Sequence, residues 1–367
     1  MAAGAPALRW EAAATVDTLH VGTPSFTSVL GHVDVRANGD AGRLFGWPAT
    51  SFRVEALADY GGKPNGRAQT LQGLSNIEVK RNATRLYAAW LQHDFSAQVD
   101  ALAGLYDLNS EFYSTEAASL LIHPAFGIGS ELSQTGRNGP SIFPNLGAAV
   151  RVRARAPDGH YAQAALIAAT AGDPAHPGRT VVRISRREGA LVVAEAGWQQ
   201  AADSERGAGH WGIGAWSYTE PVPRLDGIGR GRNTGVYALG QSLLHDFGGE
   251  RIVGFARAGI AAASVNAIDC ALDAGVLVQR AHPDAGPRAW VVGLALARLG
   301  RGDIDAQARG GASLSRTEAT LEVGARWRLG ASLTVQPLLQ HVTHAGGRPG
   351  SATVVGARWV WTLAGGD

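Results

Sequence analysis

Residues 316–329 read RTEATLEVGARWRL, and they alternate without a break. Thr317, Ala319, Leu321, Val323, Ala325, Trp327 and Leu329 fall on one side of an extended chain. Arg316, Glu318, Thr320, Glu322, Gly324, Arg326 and Arg328 fall on the other. A two-residue period marks a strand with two different faces. The stretch is far longer than the roughly 5–6 residues of an ordinary globular strand. Working outward, the pattern recurs at 51–60, where Phe52, Val54, Ala56, Ala58 and Tyr60 oppose Arg53, Glu55 and Asp59. It recurs at 148–156, where Val150, Val152 and Ala154 oppose Arg151, Arg153 and Arg155, and at 352–363, where Val355, Ala357, Trp359, Trp361 and Leu363 share a face.

Sixteen segments of this kind can be counted: 9–21, 27–37, 49–60, 84–95, 98–108, 146–156, 160–170, 190–199, 210–219, 232–246, 251–262, 268–280, 288–299, 315–329, 332–343 and 352–363. No composition break divides the chain, which reads as a single domain over 1–367. The connections 96–97, 157–159, 247–250 and 330–331 are minimal, whereas 61–83, 109–145 and 171–189 are long. In an up-and-down order the minimal ones lie at one end of the sheet and the long ones at the other. Outer-membrane barrels have this asymmetry. The charged faces are as charged as the apolar faces are apolar, which suits a wet lumen and a lipid-facing exterior. Trp327, Trp359 and Trp361 on the apolar side suit an interfacial aromatic girdle.

Composition agrees by exclusion. The chain has 367 residues, 17% charged, with a formal net charge of +2, so charge gives no case for a nucleic-acid partner. No apolar run approaches the roughly 18 residues of a membrane-crossing helix. The mean hydropathy of -0.04 is what alternating barrel strands average to. The one cysteine, Cys270, excludes an intramolecular disulfide framework and a cysteine-built metal site. Only Lys63 and Lys80 are lysines, so the fixed positive charge is almost all guanidinium.

LQGLSNIE (71–78), RLYAAWLQHDF (85–95), GLYDLNSEFYSTEAASLLIHPAFGIG (104–129) and SQTGRNGPSIFP (133–144) closely resemble the carbohydrate-selective porin (OprB-like) family of bacterial outer membranes. The resemblance continues through GDP (172–174), VAEAGW (193–198), QPLLQHV (336–342) and VVGAR (354–358). It implies an all-β fold: an antiparallel transmembrane β-barrel of about 16 strands, with long inward-folded loops carrying short helices. It also implies diffusion of sugars such as glucose through the outer membrane, without catalysis. The partners it implies are carbohydrate solutes, outer-membrane lipid and the barrel-assembly machinery, and it allows a homo-oligomer. Three departures stand out, the first being a length on the short side for the family, with several loops that look trimmed. No basic region followed by an apolar stretch opens the chain, and it ends WTLAGGD rather than on an aromatic.

An open sixteen-stranded barrel needs narrowing to select. The connection 109–145 is the expected constriction loop, because loops beyond about 12–15 residues are uncommon without a task. Its Leu120, Leu121, Ile122, Phe126 and Ile128 call for burial against the wall. The connection 61–83 is the second choice. Neutral polyols are bound by bidentate donors and acceptors and by aromatic faces. The expected constriction residues are therefore Arg85, Asp107, Glu111, Arg137, Asn138, Arg151 and Arg153, and the arginine stripe predicts an anion preference. No cofactor or metal is expected. His123, His160, His176, His210 and His245 lack ligand spacing, and GIGS (127–130) lacks the flanks of a nucleophile elbow. Asp107 and Glu111 alone give no basis for a glycosidase pair. The rival reading is a soluble carbohydrate-binding β-protein.

Overall fold

The computed structural model describes residues 6–200, 209–280, 288–309 and 314–366. The strands are β1 (Leu8–Val21), β2 (Phe26–Asp40), β3 (Thr50–Gly61), β4 (Ala83–Asp94), β5 (Val99–Tyr106), β6 (Gly147–Arg155), β7 (His160–Ala168), β8 (Ala190–Gln199), β9 (His210–Tyr218), β10 (Val222–Pro223), β11 (Arg230–Gly231), β12 (Thr234–Asp246), β13 (Glu250–Ala261), β14 (Ile268–Arg280), β15 (Ala289–Leu299), β16 (Thr317–Leu329), β17 (Leu333–Thr343) and β18 (Ser351–Gly366). β10 and β11 form a separate two-stranded ribbon. The other sixteen make one closed antiparallel barrel, sealed where β1 pairs β18 from Arg9↔Gly366 to Val21↔Val354. Closure pairs each strand on both sides over most of its length, so little backbone meets the lipid unsatisfied. The sixteen segments read from the sequence coincide with these sixteen strands; the β10–β11 ribbon was not anticipated.

Four short helices sit in the connections: α1 (Ala41–Phe45), α2 (Pro64–Ala68), α3 (Ser130–Ser133) and α4 (Arg301–Arg309). α1 shows why such a turn starts and stops. The Asp40 side chain accepts from the Arg43 N–H at its beginning, and Gly46, at φ 76°, ends it in the left-handed region that glycine tolerates best.

Alternation decides which face meets lipid. On β16, Leu321 is exposed while Glu318, Thr320 and Glu322 are fully buried; on β6, Val150 and Val152 are exposed while Arg151 is buried. The exterior is thus a continuous aliphatic band, which water would not support and a bilayer does. The two rims of the band differ. At the end with the minimal turns, Trp10, Phe45, Trp47, Phe95, Trp211, Phe247, Trp290 and Trp361 are exposed. At the long-loop end the outward residues include three hydrogen-bonding pairs, His20 with Thr27 (3.1 Å), Tyr60 with Thr84 (2.9 Å) and His341 with Thr353 (2.9 Å), beside exposed aliphatics such as Val29 and Ile260.

Candidate functional site: the plugged lumen and its polar channel

The inward wall has two sectors. From β7 to β15 the inward residues are largely apolar, and the connection 107–146 packs on them. Phe112, Tyr113, Ile128 and Leu132 join Ile167, Val193, Trp216, Tyr237 and Leu239 in one cluster. Ala117, Ala118, Leu121 and Phe126 join Val253, Phe255, Val291 and Ala295 in another. Small wall residues make the room. A Cβ at Gly293 would lie 2.5 Å from Leu121 Cδ1, and one at Gly259 within 2.5 Å of the Glu131 carboxyl and the Tyr113 hydroxyl. The connection 62–82 packs similarly, with Leu74 and Ile77 beside Leu19, Val21, Leu338, Val342 and Val354. The simple expectation of a polar lumen all round therefore holds for one sector only. β15 is apolar on both faces, because one meets lipid and the other meets the folded-in chain.

The wall holds these segments by their backbone. Glu318 accepts from Leu71 N (2.7 Å), Gln72 N (3.0 Å) and Gly346 N (2.8 Å). Two inward positions further along β16, Glu322 accepts from Ile122 N and His123 N, each at 2.8 Å, and from Gln340 Nε2 at 3.2 Å. Glu195 accepts from Tyr113 N (2.9 Å) and from the hydroxyls of Tyr237 (2.9 Å) and Tyr161 (3.0 Å). Arg257 does the converse. Its Nε donates to Asp273 (3.0 Å), while its other nitrogens donate to the carbonyls of Tyr113 (3.1 Å), Gly127 (2.7 Å) and Ala125 (3.0 Å). Gln336 Nε2 donates to Leu120 O at 2.7 Å, and Gln340 Nε2 to Leu74 O at 3.0 Å. Of these wall residues the sequence placed only Glu318 and Glu322, as lumen charge; Glu195, Arg257, Gln336 and Gln340 were not singled out. The available signal was the placement of Glu or Gln at inward positions on β8, β16 and β17.

The other sector, β1–β6 with β16–β18, keeps many of its charged inward residues partly open: Glu11, His32, Asp34, Arg36, Arg53, Glu55, Arg153, Arg326 and Arg358 are all of intermediate exposure. Here the sequence-expected residues can be placed one by one. Glu111 lies where the chain leaves β5. It accepts from Tyr106 Oη (2.5 Å), Arg151 Nε (2.7 Å) and Arg151 Nη2 (2.9 Å), and pairs with Arg153 Nη1 at 3.0 Å. Arg151 is fully buried beneath it and also pairs with Asp100; Arg155 meets the same Asp100 at 3.0 Å. Asp107 accepts from Tyr87 Oη (2.7 Å) and Asn109 N (2.9 Å), and burial pushes its carboxyl above the ordinary range. Arg53 stands 5.5 Å over the Trp90 ring. The structure thus brings Asp107, Glu111, Arg151 and Arg153 to one wall, with Arg53, Tyr87 and Trp90 as neighbours that the sequence did not single out.

The remaining three lie apart. Arg85 is buried. It pairs with Asp59 at 3.4 Å and donates to Asn145 Oδ1 (3.2 Å), Pro144 O (3.3 Å) and Pro177 O (2.9 Å), tying two connections to β4. Arg137 is exposed and pairs with Glu188 at 3.1 Å; Asn138 donates to Ala171 O at 2.6 Å. Two buried groups of the folded-in connection are electrostatically unusual. Burial pushes the Glu131 carboxyl up to about 7 and the His123 imidazole down to about 3. No group of three or more potential metal ligands occurs among the described residues.

Residues 27–363 match the family described as Carbohydrate-selective porin, OprB family. The chain belongs to that family. Its fold is similar to that of OprB from Pseudomonas putida in the high-pH structure, at TM-score 0.83 and 17% identity, covering 97% of this chain and 94% of that one. The low-pH structure of the same protein gives 0.58 and 14%, covering 97% and 92%. The outer membrane channel DcaP of Acinetobacter baumannii gives 0.57 and 10%, covering 97% of each. No curated protein matches the chain. As a member of the OprB family the protein is an outer-membrane porin for carbohydrates, and its minimal turns and long loops take the periplasmic and external ends of the barrel. The exposed aliphatic band sets aside the soluble rival.

Proposed function

We propose that neutral monosaccharides such as glucose pass along the open polar sector, and that the connection 109–145 is the constriction. The observation that carries this is the Glu111 cluster. One carboxylate, held by a buried arginine and flanked by the half-open Arg153, stands where the folded-in chain leaves the wall. Glu111 and Asp107 supply acceptors, Arg153 and Arg53 supply donors, and Trp90 supplies an apolar face for the C–H side of a sugar ring. Arg151 acts through Glu111, and Arg85 through the connections it ties; Arg137 and Asn138 belong to the outer vestibule. No step of this passage needs catalysis or a cofactor, and insertion proceeds through the barrel-assembly machinery.

The test is ion-current block by glucose in a planar bilayer. Glu111→Gln and Arg153→Ala should each weaken block severalfold, and Arg137→Ala should leave it unchanged. Wild-type block in both Glu111→Gln and Arg153→Ala would overturn the assignment.

A further inference from the structure

We propose that the external strap 177–187 binds a phosphorylated glycolipid of the outer leaflet. The proposal rests on the outer-membrane reading and not on the sugar path. The wall has a gap beside β4. β4 pairs with β3 from Ala83 onward but with β5 only from Ala89, because β5 ends at Tyr106 and the chain turns inward. The upper edge of β4, from Ala83 to Ala88, therefore lacks a strand on that side. The strap lies along it: Thr180 Oγ1 donates to Leu86 O at 2.6 Å, and Pro177 O accepts from Arg85 at 2.9 Å.

This contact fixes the depth. Leu86 is outward and exposed, at the upper margin of the aliphatic band, and the Tyr60–Thr84 pair just above it marks the start of the polar rim. The strap is thus held at the boundary between acyl chains and headgroups. Its chemistry fits that boundary. Val182 is 60% and Ile184 80% exposed, which is unfavourable in water and favourable among acyl chains. Arg179, Arg183, Arg186 and Arg187 are exposed around them. Arg183 pairs with Glu188, whereas Arg179, Arg186 and Arg187 form no ion pair among the described residues. Planar guanidinium forks recognise phosphate oxygens bidentately. The two rims differ in the same sense: the exposed tryptophans lie at the periplasmic rim, and the external rim carries the His20–Thr27 and His341–Thr353 pairs, where sugar and phosphate headgroups would be met.

The test uses the full-length barrel extracted in mild detergent, with lipid A as the probe and native mass spectrometry as the readout. Wild type should retain lipid A. The triple variant Arg179→Ala/Arg186→Ala/Arg187→Ala should retain about tenfold less, and Val182→Ser/Ile184→Ser should also lose lipid. Heat-modifiable gel mobility confirms that each barrel is folded. Conductance and glucose block should not change, so failure of the sugar reading would leave this result untouched. Equal lipid A retention in the folded triple variant would overturn the proposal. Displacement of lipid A by millimolar inorganic phosphate would also overturn it, by showing a simple anion site.

Discussion

Replacing Glu322 with Ala removes the acceptor for two adjacent backbone N–H groups, those of Ile122 and His123, at the centre of the folded-in connection. Both groups are buried, and the Ala side chain gives them nothing in return. An unsatisfied buried donor costs about 1–3 kcal/mol, so the docked conformation loses roughly 2–6 kcal/mol. At about 1.4 kcal/mol per decade, the undocked population rises between roughly 30-fold and ten-thousand-fold. The lower half of that range is expected, because Ile122 keeps its apolar neighbours Leu19, Val21, Leu338 and Val354. The barrel itself keeps every strand pair. In single-channel recording the variant should show a larger, noisier conductance and weaker glucose block, while heat-modifiable mobility stays normal. Glu322→Gln, which keeps one carbonyl acceptor but turns an amide N–H toward the second donor, should fall between. A folded Glu322→Ala barrel with wild-type conductance and block would refute the view that wall carboxylates hold the constriction in place.

Other expectations follow from the same contacts. Val323→Arg on the lipid face should cost roughly 2–4 kcal/mol in a folding titration if near the bilayer midplane, whereas Ser51→Arg, inward beside Asp40, should be tolerated; equal effects would contradict the assignment of faces. Thr320 is no neutral control although it shares the polar side, since it is buried 3.4 Å from His123. Glu131 binds its proton more tightly when folded, at about 7 against an ordinary 4.5, so the stability it contributes is full below about pH 4.5 and lost as pH rises through 7. His123 has the opposite sign: its contribution is full above its ordinary 6.5 and falls as pH drops toward 3. Glu131→Gln should therefore abolish the loosening on rising pH, read as a rise in conductance between about pH 4.5 and 7, and leave acid loosening intact. Arg153→Ala with Arg155→Ala should shift the reversal potential under a salt gradient toward cation preference, because both are partly exposed and Arg151 is not; an unchanged potential would move the selectivity site elsewhere.

Much of this architecture was legible in the residues. Two-residue alternation is a local property, so all sixteen barrel strands could be placed, and the connection lengths gave the two ends. The folded-in chain was legible as a need: Leu121, Ile122 and Phe126 are too apolar for a solvated loop. What covers them was not, because it depends on pairings between residues some two hundred apart, such as Glu322 with Ile122. For the same reason Glu318 and Glu322 read as lumen charge, when each is spent on backbone donors. Arg85 illustrates the limit most plainly. Its inward position follows from alternation, but its burial follows from the early end of β5, which leaves a gap that the guanidinium spans between Asn145 and Pro177.

The clasps at Glu318, Glu322, Glu195 and Arg257 grip the folded-in segments by their peptide groups. Any residue but proline can present an N–H to a carboxylate, and any residue at all can present a carbonyl to a guanidinium. This backbone part of the anchoring is therefore nearly indifferent to side-chain identity, whereas the apolar packing of Phe112, Tyr113, Leu121 and Phe126 on the wall is not. Lineages can rewrite the surface that meets the solute, one substitution at a time, without first solving again how the segment is moored. Selectivity and attachment become separately heritable traits, and a designer who wants a different cargo can leave the mooring alone.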